Sequence, residues 1–217
     1  MPLLSLRDVG VSYVGHVALH PLTFDLRRGE RVAVMGRSGS GKSSLLGLLY
    51  RHLGPRAALV PQAAALVDTL SVFHNVFMGR LDRGSVWHNL RVLAWPRAHE
   101  LAEIGAVLEQ VGLADKLRAR AGTLSGGQQQ RTSVARALYN GRPVLIGDEP
   151  VSALDRVQGM AVLGRMADRH ETIVVAMHDI PMALAFASRV VVLDAGRVVL
   201  DAPPSDVTTS DLSAFFV

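Results

Sequence analysis

Eight residues, Gly36-Arg37-Ser38-Gly39-Ser40-Gly41-Lys42-Ser43, fit the pattern G-x-x-x-x-G-K-[ST]. They stand between a short apolar run, Val32–Met35, and leucines at helical spacing, Leu45, Leu46, Leu48 and Leu49. Strand, glycine-rich loop and helix in that order constrain the fold strongly. The glycines let the backbone wrap closely around an anion with its amides pointing inward. The helix that follows begins at that anion, where its free amides and dipole favour negative charge. A nucleotide's phosphates are the expected occupant. Lys42 is expected to reach the β- and γ-phosphates, and Ser43 to place its hydroxyl on Mg²⁺. The loop alone fits a kinase, a GTPase, a helicase, a motor or a transporter ATPase.

The rest of the chain supplies the sheet such a loop needs. Leu4 and Leu6, then Val9, Val11 and Tyr13, alternate as a half-buried strand does, and so do Leu22, Phe24 and Leu26. Further strands are expected at Ala57–Val60, Pro143–Ile146, Thr172–Met177, Arg189–Leu193 and Arg197–Leu200. Helical stretches are expected at Arg156–Arg169 and Met182–Ala187. Between about Asp68 and Asn140 the strand signals vanish, and Leu101, Ile104, Leu108 and Val111 recur at helical spacing. The expected fold is α/β: a mainly parallel sheet flanked by helices, with a small N-terminal antiparallel β part and an inserted helical subdomain. One domain is expected over 1–217, its core formed by 1–67 and 141–217 and its helical subdomain by 68–140.

Composition narrows the setting. The sequence has 217 residues, 49% of them hydrophobic, and lacks cysteine, which excludes disulfides and thiolate metal sites. No apolar run approaches the roughly 18 to 20 residues of a membrane span, and the Met1 end has no secretory signal pattern. The net charge of +4 comes from scattered arginines, so direct nucleic-acid binding is not expected.

Val144–Ile146 and Gly147 lead into two adjacent carboxylates, Asp148 and Glu149. A strand parallel to the first delivers such a pair beside the phosphate loop. Asp148 is the candidate to hold Mg²⁺ through its water shell, and Glu149 the candidate general base for the water that attacks the γ-phosphate. Projection to opposite sides of an extended strand would give the two carboxylates separate roles. His178 follows the strand at Thr172–Met177 and can face the same crevice, or serve structure alone. Gln62 ends another strand, where its amide can meet Mg²⁺ or the water. Tyr13 fits stacking on an adenine face or plain core packing.

Leu124-Ser125-Gly126-Gly127-Gln128-Gln129-Gln130-Arg131 resembles the signature motif of the ABC ATPases, and the order of the other motifs matches that family across nearly the whole chain. Tyr13 resembles the A-loop aromatic. Gly36, Arg37, Ser38, Gly39, Ser40, Gly41, Lys42, Ser43 and Ser44 resemble the ATP-binding phosphate loop. Gln62 resembles the Q-loop glutamine, Glu149 the catalytic glutamate, Ser152–Asp155 the D-loop and His178 the switch histidine. The resemblance implies ATP and Mg²⁺, the ion held by Ser43, Gln62 and Asp148. It also implies two subunits paired head to tail, in which Ser125, Gly126, Gly127, Gln128 and Asp155 serve the ATP bound by the partner.

Further implications are separate membrane permease subunits, an indirect solute-binding partner, and a place on the cytoplasmic face of the inner or plasma membrane. Leu66–Arg80, with Phe73, Phe77 and Met78, is the candidate docking surface, with ordinary core packing at helical spacing the alternative for each side chain. Arg118–Thr123 lacks the glutamate-containing motif typical of ABC exporters, which leans toward import. Asn75–Leu81, Trp87 and Asn89–Leu93 look similar to the ATPases of phosphonate importers, so a phosphonate or related oxyanion is the expected cargo. The alternatives are a soluble non-transport ABC ATPase and an exporter or lipoprotein-release type. Two departures stand out. Lys42 to Gln62 is shorter than usual, implying a trimmed β-subdomain, and Gly147 stands where a larger residue is usual.

Overall fold

Apolar runs flanked by turn residues become buried strands when both faces of a sheet are covered. In the computed structural model, which describes residues 2–215, this accounts for β3 (Arg31–Met35), β4 (Ala57–Val60), β5 (Val144–Asp148), β6 (Thr172–Ala176) and β7 (Arg189–Asp194). With β8 (Arg197–Ala202) they form one sheet in the order β4-β5-β6-β3-β7-β8, parallel except for the antiparallel β7–β8 pair. Successive side chains go to opposite faces. Val32, Val34, Val174 and Ala176 pack on one side with Leu45 and Leu49. Ala33, Met35, Ile173 and Val175 pack on the other with Leu138, Leu163 and Met182.

Helix α1 (Lys42–Leu53) and a two-stranded antiparallel sheet cover the first face. That sheet pairs β1 (Pro2–Tyr13) with β2 (His16–Arg27) around the turn at Val14–Gly15. No strand lies between α1 and β4, which agrees with the short Lys42–Gln62 spacing. The second face is covered by α2 (Val72–Phe77), α3 (Val86–Ala94), α4 (Ala98–Gln110), α5 (Gly126–Asn140), α6 (Arg156–Arg169) and α7 (Ile180–Phe186); α8 (Thr209–Ser213) closes the chain. Among the described residues no helix is long and apolar enough to cross a membrane.

One expectation is corrected here. Phe73 and Phe77 are buried, their rings stacked with centroids 6.2 Å apart, so they are core and not a docking surface. They lie four residues apart on a helix that packs against α5, with Phe77 also beside His88 of α3, and helical spacing looks the same whichever neighbour it serves. Gly147 also finds its reason: a Cβ there would stand 3.0 Å from Val175 Cγ1 and 3.1 Å from Pro150 Cγ. Those side chains already fill the space that a larger residue would take.

The helical region is tied together by Glu100, which is buried at the start of α4. It accepts from the Arg97 amide at 2.7 Å and pairs with Arg91. The Arg91 guanidinium holds the carboxyl down to about 2 from an ordinary 4.5. A depressed carboxylate stabilises the fold fully above its unfolded pKa, and the contribution is lost as pH falls through the folded value. Glu100→Gln is therefore expected to lower Tm at pH 7 by about 2–4 °C, the equivalent of roughly 1 kcal/mol. The difference from wild type should shrink between pH 4.5 and 2. Thermal melts across that range check it, and a constant difference would contradict the pairing.

Candidate functional site

Parallel strands direct their C-terminal ends to one edge, where an open α/β sheet forms its crevice. Val34 is in register with Ala176, and Ala176 with Asp148, so β3, β5 and β6 end side by side. The segments that follow are Gly36–Gly41, Glu149 and Met177–His178. They meet in one groove of about 560 Å³, lined among others by Tyr13, Gly36, Lys42, Ser43, Gln62, Glu149 and His178. Arg37, Ser38, Gly39, Gly41 and Ser44 complete the loop's share of that lining.

The loop geometry demands glycine at two places. Gly36 has φ 139° and Gly41 φ 103°, values that side-chain-bearing residues rarely adopt. A Cβ on Gly36 would lie 2.1 Å from the Leu193 carbonyl oxygen, and one on Gly41 2.6 Å from that of Ala18. The loop is thus pressed against β7 and β2, and apart from the Ser40 amide, which donates to the Arg37 carbonyl at 3.2 Å, its amides are left for a ligand. Ser40 Oγ is buried in the loop without a hydrogen-bond partner. Lys42 Nζ donates to the carbonyls of Gly36 at 2.7 Å and Arg37 at 2.9 Å, which folds the ammonium over the cradle. Burial pushes its pKa down, opposed by the charges of Glu149 and Asp148. A buried cation in a cradle of backbone amides fits a polyphosphate.

Asp148 is the last residue of β5 and is buried. Glu149 lies beyond the strand with φ 54°, so a left-handed turn separates the two carboxylates. This corrects the expectation that the pleat of an extended strand does so. A non-glycine residue in that conformation costs about 1–3 kcal/mol and persists only where its surroundings hold it. Here the Glu149 amide donates to the Ala176 carbonyl at 3.2 Å, and Gln130 Nε2 donates to the Glu149 carbonyl. Glu149 Oε2 is 2.6 Å from His178 Nε2. The contact sets the imidazole and the carboxylate side by side at the groove.

Sequence reading passed over Gln130. From the middle of α5 it also donates to Ser152 Oγ at 3.1 Å and accepts from the Ala153 amide at 3.1 Å. It ties the signature helix to the turn that carries Glu149. A buried polar residue at a helical core position was the available signal. His16 and Ala18, from β2, also line the groove without having been anticipated. Tyr13 is exposed on the rim, so core packing does not describe it.

Ser125, Gly126, Gly127, Gln128 and Asp155 are not among the groove's lining residues. Ser125 caps α5: its Oγ accepts from the Gln128 amide at 3.4 Å while Gln128 Oε1 accepts from the Ser125 amide at 3.0 Å. Asp155 caps α6, accepting from the Gln158 amide at 2.9 Å. The two capping segments lie close together, since a Cβ on Gly127 would lie 3.4 Å from the Ala153 carbonyl oxygen.

Comparison with known proteins bears on this arrangement. A family model described as ABC transporter matches residues 19–152. The phosphonates import ATP-binding protein PhnC of Anaeromyxobacter dehalogenans (strain 2CP-C) is 38% identical over 99% of this chain and 48% of its own length. The chain therefore spans about half of that relative. PhnC of Caulobacter vibrioides is 35% identical over 97% of this chain and 92% of its own length. Among solved structures, a dimeric ATP-binding cassette in a post-hydrolysis state, bound to ADP and Pi, superposes with a TM-score of 0.80. It is 26% identical and covers 92% of this chain and 98% of its own.

Proposed function

The chain belongs to the ABC transporter family as one of its ATP-hydrolysing cassettes, and on that premise we propose how its residues divide the work. The observation that carries the reading is a separation. The loop 36–44 apart from Ser40, with Glu149 and His178, lines one groove, while Ser125 and Asp155 lie outside it. One copy supplies the nucleotide pocket and a second copy, head to tail, supplies the signature surface that closes it. Two composite sites result. The core comprises 1–67 and 141–217, and 68–140 forms the helical subdomain that carries the signature.

In each site Lys42 and the loop amides bind the β- and γ-phosphates, and Tyr13 on the rim stacks on the adenine. The attacking water lies against Glu149, which takes its proton as the new bond to the γ-phosphorus forms and the bond to the β-phosphate oxygen breaks. ADP and phosphate leave. His178 holds the Glu149 carboxylate in line through the 2.6 Å contact, and Gln130 holds the backbone turn beneath it. Ser43, Gln62 and Asp148 present only oxygen donors, the set that Mg²⁺ prefers. Bound there, the ion would offset phosphate charge.

Binding to both copies favours closure, and loss of the γ-phosphate releases it. We assign import to the assembly, with a phosphonate or related oxyanion as cargo. The phosphonate import by which the PhnC relatives are named, and their identity over nearly the whole chain, support this. The transport partners are membrane permease subunits and, through them, a solute-binding protein. The cassette then sits on the cytoplasmic face of the membrane. A groove of about 830 Å³ lined by Tyr50, Pro61, Met78, Leu81 and Arg136 replaces Phe73 and Phe77 as the docking site.

Ser125→Asp tests the composite site with little disturbance of the fold, because Asp caps a helix about as well as Ser. Its charge would face the partner's γ-phosphate. We expect kcat to fall about 10²-fold, with ATP affinity of the isolated chain nearly unchanged. Hydrolysis and nucleotide-binding assays check it, and equal losses in both would contradict a site shared between copies.

A further inference from the structure

Helix α3 (Val86–Ala94) turns its apolar side outward. It buries only Val92, while Val86, Trp87 and Leu90 are exposed. At about 100° per residue, Val86, Leu90, Ala94 and Trp87 fall within an arc of roughly 100°. Trp95, the residue after the helix, is 79% exposed, and Trp87 is 82% exposed. These are the chain's 2 tryptophans. Nothing in the nucleotide site uses this face. Leaving it in water is unfavourable, which marks it as a contact surface.

Charge says what kind of contact. From Arg83 to His99 the sequence has no aspartate or glutamate, but it has Arg83, Arg91, Arg97, His88 and His99. Arg91 is neutralised by Glu100. Arg83 donates to the Asn140 carbonyl at 2.5 Å, and among the described residues neither it nor Arg97 has a carboxylate partner. Exposed indole rings on and next to a short amphipathic helix, in a segment whose end arginines lack a carboxylate partner, match the boundary between anionic headgroups and acyl chains. A protein partner of ordinary surface composition would place acidic side chains singly. A bilayer offers a continuous negative field, which suits a stretch with cations at both ends and no acid between.

We propose that this face of α3 rests on the headgroup layer of an anionic lipid bilayer, with Trp87 and Trp95 at the interface and Arg83 and Arg97 on lipid phosphates. The contact requires no nucleotide and stands apart from the assignment of the ATP site. It gives the cassette a second attachment to the membrane beside the permease.

The two tryptophans make the test direct, because tryptophan fluorescence of the full chain, excited selectively over tyrosine, reports this patch alone. With vesicles of phosphatidylcholine and phosphatidylglycerol the emission should shift to the blue and the protein should sediment with the lipid. Phosphatidylcholine alone should do neither, and added salt should weaken the binding. Arg83→Gln and Arg97→Gln should each weaken sedimentation about fivefold. Trp87→Ser with Trp95→Ser should weaken it about tenfold or more. All four side chains are exposed, so melting temperatures should hold. Glu149→Gln should bind vesicles as wild type does, which separates this contact from the hydrolytic site. Unshifted emission without sedimentation, or equal binding to neutral vesicles, would overturn the proposal. So would self-association through this face, seen as a concentration-dependent dimer that Trp87→Ser abolishes.

Discussion

Replacing Glu149 by Gln is expected to lower steady-state ATP hydrolysis by about 10²- to 10⁴-fold, the range that a positioned general base supplies. Gln keeps the size of the side chain and can still meet His178, but it cannot take a proton. The left-handed turn at Glu149, held by the Ala176 carbonyl and by Gln130, has no carboxylate charge in its supporting contacts. The substitution should therefore leave the turn in place and ATP affinity intact. A malachite-green assay for phosphate reads the rate, and equilibrium binding of a fluorescent ATP analogue reads the affinity. Hydrolysis within a few-fold of wild type would move the base to another residue.

Lys42→Met should have the converse signature. The ammonium is folded over the phosphate loop on the Gly36 and Arg37 carbonyls at 2.7 and 2.9 Å. ATP offers it charged oxygens in their place. Two hydrogen bonds between charged groups, at about 1.5–3 kcal/mol each, replace two carbonyl contacts worth about 1 kcal/mol each. The net loss on removing the lysine is then about 1–4 kcal/mol, or roughly 5- to 10³-fold in ATP affinity. Fold stability should not suffer. Burial pushes the Lys42 pKa down, so the charged form is penalised in the folded chain, and a methionine of similar volume removes that penalty. Titration calorimetry with ATP and a thermal melt check the two halves. Unchanged affinity would take Lys42 out of the phosphate site, and a large fall in Tm would make its role structural.

How far the sequence could be read depended on what each residue's neighbours share with it. The strands at 31–35, 57–60 and 172–176 were legible because burial on both sheet faces leaves continuous apolar runs. A helix near Arg156–Arg169 was legible from its place between two strands, and the structure adds that Asp155 caps it. The phosphate-loop residues were legible because phosphate chemistry dictates their types and spacing, whereas His16 and Ala18 in the same groove carry no such signal. What stayed hidden depends on tertiary neighbours. Phe73 and Phe77 show the same helical spacing whether they meet a partner or α5. The positive φ of Glu149 comes from its contacts with Ala176 and Gln130, which are distant in sequence. Gln130 reads as one glutamine in a run of three until its partners at 149, 152 and 153 are seen. The outward apolar face of α3 was equally hidden, since periodicity gives the stripe but not the side from which it is covered.

The central claim is that each ATP is held and hydrolysed by two copies of the chain. Light scattering of Glu149→Gln, with and without ATP, tests it most directly. We predict a monomer without nucleotide, a dimer with ATP, and a return to monomer when Ser125→Asp is added, while that double variant still binds ATP. A protein that binds ATP fully yet stays monomeric, or a dimer indifferent to Ser125, would contradict the composite site.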